Sequence, residues 1–130
     1  MRYLIDTNII IALIVQDDRA LWRMLRIHQS NSGIPTVVLH ELYAGAYDSK
    51  RMRRSLEIIE SLRLPLLSFD AEDARAAGQI KAVLKRKGTP IGPNDILIAG
   101  QARARGLTVV TRNVGEFRRV EGLAVEEWAA

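Results

Sequence analysis

Apolar and polar residues along this chain alternate between two textures. Short runs rich in branched side chains give way to longer stretches where apolar positions return every three or four residues. The first texture reads as buried strand and the second as amphipathic helix. Tyr3-Leu4-Ile5 is such a strand, starting almost at residue one, and Ile9 to Val15 follows as a short apolar helix that Asn8 is placed to cap. A second helix, capped by Asp17 or Asp18, carries Leu21, Trp22, Leu25 and Ile27 as its stripe, and Gly33 is expected to end that element. Ile34-Pro35-Thr36 reads as a strand, with Thr36 capping a helix over Val37 to Ala46. Another helix is expected from about Lys50 to Leu62, with Met52, Leu56, Ile59 and Leu62 at helical spacing.

Leu64 to Phe69 is strand-like, and Asp70 opens a long helix. Asp70, Glu72 and Asp73 in its first turn, and Lys81, Lys85, Arg86 and Lys87 near its end, complement the helix dipole before Gly88 stops it. Asn94-Asp95 begins a helix through Arg105, closed by Gly106. Leu107 to Thr111 is the clearest strand, and Leu123 to Val125 is expected to be the last. Strands separated by helices imply βαβ units, so the expected fold class is α/β, a parallel sheet with helices on both faces. Ligands on such sheets bind beyond the carboxyl ends of the strands.

Composition narrows the chemistry. At 130 residues with 48% hydrophobic positions, one domain over residues 1–130 is expected. The absence of cysteine excludes disulfide scaffolds, thiolate metal sites and cysteine nucleophiles, and fits a reducing, cytoplasmic setting. Two histidines leave no room for a multi-histidine metal site. Any metal would be a hard cation held by carboxylates. The longest apolar run, Ile9 to Val15, lies between Asp6 and Asp17-Asp18 and is far too short to span a membrane. No secretion signal is expected either. A net charge of +4, carried mainly by scattered Arg, points only softly to a polyanionic partner.

Most of the acids have local explanations as helix caps or solvated faces. Three fit less easily. Asp6 stands at the carboxyl end of an interior strand, where Asn8 already offers a cap. Glu41 sits mid-helix among Val37, Val38, Ala44 and Gly45, where an unpaired charge is costly to bury. Asp95 follows Ile91-Gly92-Pro93-Asn94 and is explained equally well by capping and by function. Each lies where strand hands over to helix, or within two turns of it, and on a parallel sheet those handovers share one edge. Acids gathered there repel one another unless a divalent cation sits among them, with Mg²⁺ or Mn²⁺ the natural occupant of an all-oxygen site.

These residues carry a resemblance. Tyr3-Leu4-Ile5-Asp6-Thr7-Asn8-Ile9, Val38 to Gly45 around Glu41, Ile91 to Ala99 around Asp95, and Val109 to Phe117 are similar, in order, to the four motifs of PIN-domain ribonucleases of the VapC toxin type. The likeness runs from Met1 to Trp128. It implies a PIN-like three-layer α/β/α sandwich with a central parallel sheet of four to five strands. It further implies that Asp6, Glu41 and Asp95 bind the metal. Many relatives place Asp where this chain has Asn113, with Glu116 three residues later as the other candidate for a fourth position. One formal charge fewer predicts one well-held Mg²⁺, with Mn²⁺ as a substitute. Thr7 and Thr111 are candidates to orient the acids through their hydroxyls, or to bond backbone at strand ends.

The chemistry so implied is hydrolysis of RNA by water rather than by the 2′-hydroxyl, and His28 and His40 do not form the acid–base pair of a metal-free ribonuclease. Arg112, beside Asn113, is the first candidate for a phosphate contact, with Lys50 to Arg54 and Arg118-Arg119 behind it. The resemblance also implies a homodimer and a cognate antitoxin lying in an apolar groove. Leu42, Tyr43, Tyr47, Leu56 and Ile59 are candidates for that surface, or for simple core packing. Receiver and aspartyl-phosphate folds are disfavoured, because Asp6 lacks their second acid and Leu107 to Val110 runs into Thr111-Arg112 rather than Lys. The competing reading is a PIN-like module that binds RNA or an antitoxin without cutting, which Asn113 keeps open.

Overall fold

A computed structural model describes residues 1–128. Five short strands form one wholly parallel sheet: β1 (Tyr3–Ile5), β2 (Ser32–Pro35), β3 (Leu66–Leu67), β4 (Thr108–Val110) and β5 (Val125–Glu126). Their order is β3-β2-β1-β4-β5. The chain grows in one direction from β1 to β3, then returns to the other side of β1 for β4 and β5. Parallel strands need right-handed crossovers, which assigns α1 (Thr7–Gln16), α2 (Arg19–Ile27), α3 (Thr36–Tyr47) and α4 (Met52–Ser61) to one face. The other face takes α5 (Ala71–Lys87), α6 (Pro93–Arg105) and α7 (Val114–Phe117). The order reverses between β1 and β4, and that switch point is where such sheets open a crevice.

Burial follows the texture of the sequence. Leu4, Ile5, Val109 and Val110 are wholly buried in the central strands, and Ile10, Val38, Ile98 and Phe117 seal the sheet from above and below. Because both faces are covered, these strands read as continuous apolar runs rather than alternations. The two long helices on one face approach closely. A side chain at Gly100 would meet the Ala77 backbone at 2.6 Å, so only glycine permits that crossing.

The ends of α5 follow the predicted chemistry. Asp70 and Asp73 form a reciprocal capping box, with each carboxylate accepting from the other's amide at 3.0 and 2.9 Å. Gly88 and Gly106 take left-handed φ values of 70° and 66° after α5 and α6.

Elsewhere the boundaries differ. Asn8 does not cap α1: the helix begins at Thr7, and the Asp6 carboxylate caps it. Of the two candidates before α2, Asp18 is the cap, while Asp17 turns the chain with a φ of 48°. Gly33 does not end α2, which stops at Ile27; it lies inside β2, pressed against Met1 and Leu67 where a side chain would have no room. Thr36 is the first residue of α3 rather than its cap. β3 is shorter than the Leu64 to Phe69 run, and β5 falls at Val125–Glu126, two residues later than expected. Among the described residues, no helix is long and apolar enough to cross a membrane.

Candidate active site

The switch point brings together residues from four separate stretches of the chain. Asp6 leaves β1 at its carboxyl end, and its side chain is buried, 4% exposed. One oxygen accepts the Thr7 amide at 2.8 Å and the other accepts the Thr111 hydroxyl, also at 2.8 Å. Thr111 follows β4, so the two central strands are tied together just where they open. Thr7 then donates its hydroxyl to Glu41 Oε1 on α3 at 2.8 Å. Both threonine hydroxyls therefore donate to acids rather than to strand-end backbone.

The rest of the cluster hangs from Asn113. Its amide nitrogen donates to Thr111 Oγ1 at 2.9 Å, and its Nδ2 donates to Glu116 Oε2 at 2.6 Å and to Asp95 Oδ2 at 3.4 Å. Asp95 stands in the first turn of α6, and Glu116 in α7. Glu41, Thr7, Asp6, Thr111, Asn113, Asp95 and Glu116 thus form one hydrogen-bonded chain across the carboxyl edge of the sheet. All seven are residues singled out from sequence.

Asn8 was not among the residues assigned to the site. Its Nδ2 donates to Thr111 Oγ1 at 3.2 Å, and its Oδ1 accepts the Arg112 amide at 3.1 Å, pinning the loop after β4 to the start of α1. Its signal in the sequence, a polar residue before an apolar helix, is the same as that of a cap. Only the partner 103 positions away distinguishes them. Arg112 is also committed: its guanidinium donates to Gln16 and Asp18, each at 3.0 Å. His40 is exposed. His28 packs against Tyr3 and Trp128 at the opposite end of the sheet.

Electrostatics show what the cluster lacks. Burial pushes the Asp6 carboxyl up; the Thr111 and Thr7 donors oppose it, and the charges of Glu41 and Glu116 add to it. Asp95 is pushed up to about 7 by burial, by its hydrogen bond with Glu116 and by the charges of Asp6, Glu116 and Glu41. Glu116 moves the other way, held down by its hydrogen bonds with Asp95 and Asn113 and by Arg119. The two acids are therefore pushed apart: Asp95 is the one that holds a proton and Glu116 the one that stays ionised, as expected of acids crowded together without a cation.

Among the described residues, no three acids stand close enough to hold an ion between them as placed. Their oxygens are turned to hydroxyls and amides instead. The donor set nonetheless fits a hard divalent cation: it is all oxygen, rich in carboxylate, and retains a proton that positive charge would displace. Glu41 also walls an apolar concavity of about 160 Å³ between α1 and α3, with Ile11, Val15 and Gly45.

A parallel sheet with acids at its switch point is an arrangement that suits metal-assisted hydrolysis, and the chain's relatives say of which kind. Residues 3–123 match the PIN domain, and the chain belongs to the PIN-domain family. Over its whole length it is related to VapC proteins. It is 41% identical over 131 residues, 99% of each chain, to the tRNA(fMet)-specific endonuclease VapC of Shigella flexneri. It is 39% identical over 133 residues, 98% of each chain, to Ribonuclease VapC2 of Haemophilus influenzae. The fold superposes on VapBC from Salmonella typhimurium, solved bound to DNA, with a TM-score of 0.94 at 39% identity over 99% of each chain. On VapBC2 from Rickettsia felis, solved with a promoter DNA fragment, the TM-score is 0.92 at 32% identity, covering 99% of this chain and 100% of that one.

Proposed function

We propose that this chain is the toxin of a type II toxin–antitoxin pair and acts as an endoribonuclease, with Asp6, Glu41 and Asp95 holding Mg²⁺, or Mn²⁺ in its place. The observation that carries the reading is the single hydrogen-bonded chain of acids, hydroxyls and Asn113 at the β1–β4 switch point, in a protein related over its full length to named ribonucleases. Bound there, the cation supplies charge neutralisation at the scissile phosphate and lowers the pKa of the attacking water.

The chain's own groups do the positioning. Thr111 and the Thr7 amide fix the two oxygens of Asp6, and the Thr7 hydroxyl holds Glu41. Asn113 brings no charge but joins Asp95 to Glu116, so the fourth position is shared: Asn113 orients, and Glu116 supplies the negative charge. Asp95, whose proton is held only while the site lacks a cation, is expected to ionise as the cation binds, with Asn113 keeping it beside Glu116. Arg112, held by Asp18 and Gln16 on the site's rim, faces an approaching phosphate with its position already set.

Partners follow from the same reading. RNA is the substrate, and the relatives make tRNA(fMet) the first to test. An antitoxin segment fits the apolar concavity beside Glu41 better than the residues first considered. Of those candidates Leu42 and Ile59 are core, at 3% and 5% exposure, and Tyr47 is exposed at 64% but lies off the concavity, whereas Ile11 and Val15, at 45% and 75%, line it. A homodimer completes the picture by family likeness.

The deciding experiment incubates antitoxin-free protein with bulk tRNA in Mg²⁺, in EDTA, and as Asp6→Asn or Asp95→Asn. Cleavage in Mg²⁺ alone is expected, leaving 5′-phosphate ends. Cleavage that survives both EDTA and the substitutions overturns the cation reading, and tight binding without cleavage favours a non-catalytic module.

A further inference from the structure

The sequence of α2, Arg-Ala-Leu-Trp-Arg-Met-Leu-Arg-Ile, contains three arginines and no acid. Arg19, Arg23 and Arg26 stand at i, i+4 and i+7, so they share one face, and all three are exposed. Leu21 and Leu25 occupy the opposite side in the core. A helix that only needs solvation commonly mixes signs at these spacings. Here Arg19–Arg23 and Arg23–Arg26 are like-charged neighbours, an arrangement that costs stability in isolation. Arg19 also lies in the first turn, where the helix dipole disfavours a cation. Among the described residues none of the three guanidiniums has an ion pair. The cost has no return within this chain.

Two further features tie this face to the acidic site. Asp18 caps α2 through one oxygen, accepting the Leu21 amide at 3.1 Å, and holds Arg112 with the other at 3.0 Å. One carboxylate therefore fastens the start of the arginine face to the loop that carries Thr111 and Asn113. Between the arginines lies Trp22, half-buried, its Nε1 donating to Asp17 at 3.2 Å. Asp17, Arg19, Trp22, Arg23 and Arg26 line an open concavity of about 440 Å³.

We infer that this face of α2 is a docking track for the phosphodiester backbone of the RNA substrate, running from the rim of the acidic site down the flank of the domain. Arg19 to Arg26 spans about 10 Å along the helix, and each guanidinium can take a phosphate bidentately. Trp22 offers a partly exposed ring on which an unpaired base can stack. The track deepens the ribonuclease reading and rests on it: phosphate contacts away from the acids hold the chain in register without reading sequence.

The test measures binding of fluorescently labelled bulk tRNA to the full chain in EDTA, across a series of salt concentrations, so that affinity is read without cleavage. R19Q/R23Q/R26Q is expected to bind about tenfold or more weakly at low salt, with the slope of log affinity against log salt reduced by about 2. R19K/R23K/R26K, which keeps the charge, is expected to recover most of the salt slope, and the single variant R23Q reports the same trend should the triple variant fold poorly. Equal affinity and equal slope in the glutamine variants and the parent overturn the track. So does normal RNA binding with lost capture of the antitoxin, which would make the face a protein contact. D6N, still binding RNA in this assay, reports separately on the ribonuclease reading through its loss of cleavage in Mg²⁺.

Discussion

Two aspartates are almost fully buried in this protein, and they are in opposite electrostatic states. Asp73, 1% exposed, lies on α5 beneath Arg105, whose Nη2 donates at 2.8 Å and Nε at 3.2 Å. Asp6, 4% exposed, has only hydroxyl and amide donors and faces other acids. Burial pushes both carboxyls up. At Asp73 the Arg105 hydrogen bonds, the Asp70 amide and Gln101 outweigh it and hold the group below the usual range. At Asp6 the donors fall short and the neighbouring acids add to the burial, so the group stays high. A buried acid with its own cation is architecture. One whose neighbours are other acids has no such partner within the chain, and the proposed cation would supply it.

The widest separation between the two comes from removing each charge in turn. Asp6→Asn is expected to cut RNA cleavage by roughly a thousandfold or more, because it removes a ligand to charge that stabilises the transition state. Urea unfolding in EDTA should show its stability unchanged or higher, since a repelled carboxylate is gone. Asp73→Asn should do the reverse, costing about 1–3 kcal/mol of stability by removing the buried charge that Arg105, Gln101 and the Asp70 amide share and weakening the α5 cap, while leaving the acidic cluster assembled. Thermal unfolding checks that loss, and an Asp6→Asn variant as destabilised as Asp73→Asn would erase the distinction.

Cation binding offers a smaller, sharper version. Mg²⁺ at a hundred times its dissociation constant should stabilise the parent by about 2.7 kcal/mol. The same gain should appear in Asp73→Asn and vanish in Asp6→Asn, read as the shift in unfolding midpoint.

The smallest expected effect is in pH dependence, and the signs differ. Asp73 has a folded pKa below its ordinary 3.8, so its stabilisation is complete above that value and is lost as pH falls through the folded pKa. Asp95 has a folded pKa raised from 3.8 to about 7, so its contribution is complete below 3.8 and is lost as pH rises through about 7. Glu116, shifted downward, offsets part of that loss. Denaturation in EDTA at pH 5 and pH 7.5 should show the site's contribution falling, and the trend should flatten in Asp95→Asn or with Mg²⁺ present.

Much of this was legible before any coordinates. Element order followed from apolar spacing and from strong local punctuation: the Asp70–Asp73 capping box, Gly88 and Gly106 all act within a few residues of themselves. Asp6 and Glu41 stood out because acids are costly at the ends of interior strands and on apolar helix faces, and Asp95, which capping explains equally well, joined them by its place at a strand–helix handover. Errors fell where two local rules compete for one residue. Asn8 and Thr36 are good caps in isolation, yet the preceding Asp6 and Pro35 take the N-cap positions. Gly33 reads as a helix stop, but inside β2 its missing side chain makes room for Met1 and Leu67.

By itself, the sequence determined a parallel α/β domain and left carboxylates as the only candidate metal ligands, because periodicity, capping and the lack of thiols are local or compositional properties. Tertiary structure decided which groups meet. Thr111 reaches Asp6 across 105 positions, Thr7 reaches Glu41 across 34, and Asp18 holds Arg112 across 94. Those pairings depend on strand order and register, which no local pattern encodes. The same assembly separates two buried aspartates that look alike as helix-start acids, giving one an arginine and leaving the other among its own kind.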